Sequence, residues 1–166
     1  MIALIPQINT EKQSSLLAIV VSGLVGSLLI SSISVSSALL YLVLLWAGLV
    51  LVRGKKNKVE IFSYLMVINS ICILLLYLIY LVRYETPYYL GGSDDLYFER
   101  LGKYFADRFS LLDYSAMHYQ VLESWEDGGG YIYLINILYR LGNLFGGFNT
   151  LMPRIFNGFL LSLIAS

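Results

Sequence analysis

Charge is the scarcest property of this chain. Asp, Glu, Lys and Arg make up only 13% of its 166 residues, against about 25% in soluble domains. The apolar set reaches 58% and mean hydropathy is +0.72, which excludes an ordinary water-soluble domain and a disordered chain and leaves a membrane protein. Acidic and basic residues balance at 11 each, so nothing in the charge suggests nucleic acid as a partner. Cysteine is reduced to Cys72, inside an apolar run; an intramolecular disulfide framework and a Cys-based metal site are excluded. His118 is the single histidine and cannot anchor a transition-metal site by itself. No Gly-x-Ser-x-Gly elbow occurs, and Gly91–Gly92 and Gly128–Gly130 lack the lysine of a phosphate-cradling loop.

What abounds is long apolar runs. Leu16–Val52 is too long for one crossing, because a hydrocarbon core of about 30 Å takes about 20 helical residues. The serine-rich centre Ser31–Ser37 divides it into spans near Leu16–Ile33 and Ala38–Val52, a helical hairpin. A cleaved signal peptide, with Ser36–Ser37–Ala38 as its cleavage site, is the competing account, but Met1–Ser15 lacks the usual positive bias. Ile61–Val82 is a third span. Apolar character returns at Tyr131–Phe145 and Leu151–Ser166, separated by the turn Gly146–Gly147–Phe148–Asn149. The expected fold is all-α, with about five transmembrane helices. Residues 1–60 form the N-terminal segment, hairpin and basic loop, and 61–166 the remainder. The chain stops inside an apolar run, so it is expected to be the N-terminal portion of a longer multi-span protein or a truncated reading frame.

Arg53, Lys55, Lys56 and Lys58 cluster between spans two and three, which places that loop in the cytoplasm. Residues 83–130 are then external, with nine acidic and four basic residues between Arg83 and Gly130. A plasma-membrane location follows. The last two spans are expected to return inward and then outward, with Arg140 and Arg154 snorkelling at cytoplasmic helix ends. The ten tyrosines from Tyr84 to Tyr139 read as an interface belt.

Within the external loop, Tyr97, Phe98, Leu101, Tyr104, Phe105 and Phe109 recur at helical spacing. Glu99, Lys103 and Asp107 line the opposite face, so this helix suits the membrane surface. Ser115–Trp125 is a second such piece, and Gly128–Gly130 lets the chain turn back. Asp94 and Asp95 stand at the start of the first surface helix. Helix capping accounts for them, worth about 0.3–1 kcal/mol near the positive end of the dipole. Carboxylates in that position also suit deprotonation of an acceptor hydroxyl, or retention of a divalent cation against a phosphate leaving group.

The order of features resembles the first external loop of the GT-C superfamily, integral-membrane glycosyltransferases that use polyprenyl-phosphate sugars, including the protein mannosyltransferase and lipid A aminoarabinose transferase branches. Asp94, Asp95, Tyr97 and Phe98–Gly102 are similar to the D-[DE]-x-x-Y-x-x-x-[AG] pattern, with a shift of one at the tyrosine. Tyr139–Gly142 and Arg154–Asn157 are similar to the "l-Y-R-l-G" and "R-h-h-N" patterns of the following spans. The resemblance covers roughly Pro87–Ser166. It departs where Gly128–Gly130 replaces a proline pair and where two extra spans precede Ile61. It implies sugar transfer from a lipid-linked phosphate donor on the external face, with Asp94 as base and Asp95 orienting the acceptor or holding Mg or Mn, although adjacent positions leave the two roles interchangeable. Tyr97 and Glu99 are candidate substrate contacts, although Glu99 also reads as half of a Glu99–Lys103 surface pair. The shortened chain alone is expected to be inactive. A non-catalytic membrane protein, such as an assembly factor or transporter piece, and a membrane polysaccharide polymerase are the alternatives.

Overall fold

The computed structural model describes residues 7–53, 56–89, 94–110 and 129–166. Among these the chain is all-α, with six helices: α1 (Gln7–Ser31), α2 (Val35–Leu51), α3 (Lys56–Tyr84), α4 (Asp94–Arg108), α5 (Gly129–Leu144) and α6 (Leu151–Ala165). The expected surface piece Ser115–Trp125, with His118, lies outside the described residues, as do Gly91–Gly92 and Gly128.

The serine-rich break forms a hairpin turn. Ser34 is extended and its Oγ accepts from the Ser37 N–H at 3.2 Å, capping α2. Behind the turn, α1, α2, α3 and α6 build one core around Ile30, Tyr41, Phe62, Met66, Leu151 and Ile155. Close approach is bought with glycine: a Cβ on Gly26 would lie 2.3 Å from the Tyr41 ring, and one on Gly48 2.0 Å from Phe62. Polar atoms inside the bundle find partners across helices. Tyr41 Oη donates to Ser22 O at 3.0 Å, and Ser22 Oγ donates to Ser63 O at 2.8 Å. Asn69 Nδ2 donates to Gly158 O at 3.2 Å and to Ser162 Oγ at 2.8 Å.

Helix α3, over Asn57–Tyr84, is the one described helix long and apolar enough to cross a membrane; α2, α6 and Ser15–Ser31 of α1 are shorter apolar helices. The Tyr131–Phe145 span is corrected by the packing of α5. Asn69 of α3 meets Gly158 and Ser162 of α6, whereas Arg154 lies over the Tyr80 ring at 5.7 Å and its Nη2 donates to Pro87 O at 2.6 Å. α3 and α6 are therefore antiparallel, and α6 starts at the end where α3 stops. The chain between them returns to the end it left, so α5 does not carry it to the other end.

Instead, α5 pairs with α4 as a cap. Ile132 and Phe105 centre a small second core with Phe98, Leu101 and Phe109. Gly102 permits the contact, since a Cβ there would lie 2.5 Å from Ile135 Cγ2. Arg140 also departs from the snorkelling expectation. Its Nε donates to Asn136 Oδ1 at 2.9 Å, and its Nη2 donates to the carbonyls of Phe105 (3.3 Å) and Phe109. The cation thus sits at the C-terminal end of α4, where the helix dipole favours positive charge. The turn after α5 falls at the glycines expected: Gly146 and Gly147 take φ of 100° and 109°, and the Gly147 N–H bonds Gly142 O at 2.9 Å. Ser36 Oγ then ties Gly147 O to the top of α2 at 2.6 Å, while Phe148 stacks on Tyr139 at 3.8 Å.

Candidate functional site

The cap and the bundle each close their own core, and between them they leave a cleft. One part is a polar cavity of about 90 Å³ whose walls include Tyr88, Asp95, Glu99, Tyr131, Thr150 and Arg154. The other is a groove of about 360 Å³ between α3 and α6, floored by Ile73, Leu76 and Leu161 with Asn69 among them. Asp95, Arg154 and Asn157 line both. They mark the junction of polar and apolar compartments.

The acids at this junction are one helical turn apart. Asp95 and Glu99 are an i, i+4 pair, so they share a face of α4. Asp94 opens α4, and its side chain lies outside the described residues. Asp95 is exposed at the cavity mouth. Glu99 is half-buried and accepts from Tyr88 Oη, with Tyr139 Oη 3.5 Å from its other oxygen. It faces those tyrosines rather than Lys103, which corrects the surface-pair reading. Tyr97 is 46% exposed and packs against Phe98 at 5.8 Å; it lines neither compartment. The wall residues that the sequence does not mark as a site are Tyr88, Tyr131 and Thr150; the i, i+4 spacing of Asp95 and Glu99 and the Arg154–Asn157 pattern are its signals toward that wall.

Burial pushes the Glu99 carboxyl above the ordinary carboxylate value, outweighing the downward pull of the Tyr88 and Tyr139 bonds and of Arg154, while Asp95 adds to the rise. Burial and then the Glu99 bond push the Tyr88 hydroxyl well up, and Tyr139 rises through burial and the Glu99 charge. Tyr131 rises through burial and Asp95, against its bond to Asn157. All three phenols therefore stay protonated around neutral pH, and Tyr88 and Tyr139 donate to Glu99.

Opposite the acids stands Arg154. Its Nη2 is spent on Pro87 O, and its Nη1 is buried without a partner. The divalent cation that the resemblance implies has Asp94 and Asp95 as its candidate ligands, and of these the described residues include only the Asp95 side chain. Among them no group of three His, Cys, Asp or Glu side chains comes together, and the two acids of the cavity share it with a guanidinium. No family model, curated protein or solved structure matches the chain.

Proposed function

We propose that this chain is a multi-pass membrane glycosyltransferase, or the N-terminal part of one, which moves a sugar from a lipid-linked phosphate donor to an acceptor hydroxyl on the external face of the plasma membrane. The observation that carries the reading is Asp95, a carboxylate held where the polar cavity meets the apolar α3–α6 groove. A donor with a water-seeking sugar phosphate and a hydrocarbon chain needs both compartments side by side.

The membrane reading is supported by the outward surface of the bundle. Leu16, Leu28, Val43, Trp46, Leu75 and Ile164 are exposed on four helices, and an apolar surface this extensive is rare on proteins in water. α1, α2, α3 and α6 are the crossings, with the cap lying on the outer face. Arg53 and Lys58 stand at the opposite end from the cap, consistent with a cytoplasmic loop.

The chemistry is a single displacement. Asp95 removes the proton of the acceptor hydroxyl, the acceptor oxygen bonds the anomeric carbon, and the bond from that carbon to the phosphate oxygen breaks with its electrons leaving on phosphate. Arg154 supplies positive charge across the cavity as negative charge grows on the leaving group. Glu99, braced by Tyr88 and Tyr139, shapes the wall behind Asp95. The test is transfer from a polyprenyl-phosphate sugar by the full-length protein in liposomes. Asp95→Asn should lower the rate by about 10²–10⁴ while leaving expression and melting unchanged. Near-parental transfer by that variant would remove the base and the reading with it.

A further inference from the structure

The exit from α3 is a strap tied to both halves of the molecule. Glu85 turns the chain with φ of 58°, the one non-glycine residue in the left-handed region among the described residues, while its N–H still bonds Leu81 O at 3.0 Å. A side chain disfavours that conformation, so contacts downstream hold it. Residues 86–89 make them on three helices. Tyr89 packs its ring against Tyr80 and Tyr84 of α3, with centroids 6.1 and 5.9 Å away. Pro87 O accepts Arg154 Nη2 of α6 at 2.6 Å, and Tyr88 Oη donates to Glu99 of α4. Pro87 and Tyr89 thus hold the bundle, and Tyr88 between them holds the cap. Tyr88 forms part of the polar cavity wall, while Tyr80 and Arg154 line the groove, so the strap runs past the junction of the two compartments.

Volume decides what the strap does. The groove, at about 360 Å³, falls within the range of about 300–1,000 Å³ that small-molecule sites occupy, whereas the polar cavity, at about 90 Å³, is far below it. A cavity of that size takes a few waters and is too small for a sugar ring. We infer that residues 86–89 are a gate, closed in this structure, and that a sugar enters the polar cavity when Tyr88 leaves Glu99 and the strap swings out about Glu85. The inference rests on the glycosyl-transfer reading for the identity of the guest and on the strap's own contacts for the gate. Opening does not strand the carboxyl, because Tyr139 Oη remains 3.5 Å from the other Glu99 oxygen. The Thr86 hydroxyl is enclosed without a partner while the strap is closed, which disfavours that state. Opening gives this hydroxyl to water and frees Glu85 from its left-handed turn. The closed strap is therefore held by a few polar and ring contacts against two local penalties, which is how a reversible latch is built.

A thiol at position 86 reports the gate without any substrate. In the full-length protein with Cys72→Ser, Thr86→Cys is enclosed while the strap is closed, so its rate of reaction with a maleimide follows the open fraction. It should label at least tenfold more slowly than Asn143→Cys, an exposed position. Tyr88→Phe should speed labelling at 86 about tenfold, as loss of one hydrogen bond to a carboxylate does, with amide exchange at 103–108 unchanged. Equal labelling at 86 and 143, or labelling at 86 that ignores Tyr88→Phe, would overturn the gate; so would equal acceleration of exchange at 103–108, which is unfolding of the cap. Locking the strap tests passage. Cysteines replacing Tyr84 and Tyr89, which line neither the cavity nor the groove, are joined by a bis-methanethiosulfonate. Transfer from a polyprenyl-phosphate sugar should fall at least tenfold on joining and return with dithiothreitol. Tyr88→Phe alone should lower KM for that donor, because apparent affinity rises with the competent fraction, where a residue that only shaped the wall would raise it. Transfer indifferent to the cross-link would overturn the gate. Gated labelling at 86 in a protein that never transfers sugar would remove the glycosyltransferase reading and leave the gate standing.

Discussion

The bundle and the cap solve helix packing by opposite means. In the bundle, Gly26 and Gly48 let Tyr41 and Phe62 fill the spaces between helices, and the few polar atoms, such as those of Ser22 and Asn69, are answered by neighbouring helices. Its outer faces are Leu, Ile and Val. In the cap, a guanidinium inside the helix pair does the joining, with Arg140 bound to the end of α4, and aromatic rings make up the small core. The bundle is finished without the cap, and the cap without the bundle. Polar groups that neither core needs are left at the boundary, which is where the cavity, Asp95 and Arg154 are found.

The first way to break this comparison is Arg140→Met. It strips the donor from the Phe105 and Phe109 carbonyls and from Asn136, and should cost the cap about 2–3 kcal/mol. Amide exchange at 103–108 should accelerate by about two orders of magnitude while α1–α3 keep their protection. Equal acceleration in the bundle would mean that the two regions are one cooperative unit.

A smaller effect is expected from Gly102→Ala, whose new Cβ would meet Ile135 at 2.5 Å. Overpacking of this kind costs about 1–3 kcal/mol. The loss should appear in exchange of α4 and α5, with the main melting transition unmoved.

The smallest effect concerns pH. Glu99 sits above the ordinary carboxylate value because it is buried. A carboxyl raised on folding adds stability that is complete below its unfolded value and is lost as pH rises through its folded value. Cap stability should therefore decline with pH in the window just above ordinary carboxylate titration, and Glu99→Gln should flatten that decline. A parental cap whose exchange is independent of pH there, after correction for intrinsic rates, would place Glu99 in water rather than against Tyr88 and Tyr139.

Much of the bundle was legible in the sequence because local chemistry writes it. Serines that bond their own backbone break Leu16–Val52, glycines at 146 and 147 end α5, and period-3.6 apolar residues mark α4. The role of α5 was not legible. Tyr131–Phe145 has the composition of a short span, and its arginine reads equally as a snorkelling end or as a clamp on a helix distant in sequence; only the antiparallel pairing of α3 with α6 decides. The site was legible in part. An adjacent acidic pair points to Asp94 and Asp95; among the described residues the acids that share a wall are Asp95 and Glu99. The partners of Glu99, Tyr88 and Tyr139, lie 11 and 40 residues away, and no local pattern announces a contact at such separation.

The measurement that bears most directly on this division is the sidedness of α5. Single cysteines are placed at Asn57, Glu85 and Asn143, all exposed positions, in a Cys72→Ser background, and intact cells are treated with a membrane-impermeant maleimide. A cap on one end of the bundle requires positions 85 and 143 to label together from outside, with 57 labelled only after permeabilisation. Labelling of 85 from outside with 143 accessible only alongside 57 would mean that α5 crosses the membrane, and would contradict the account.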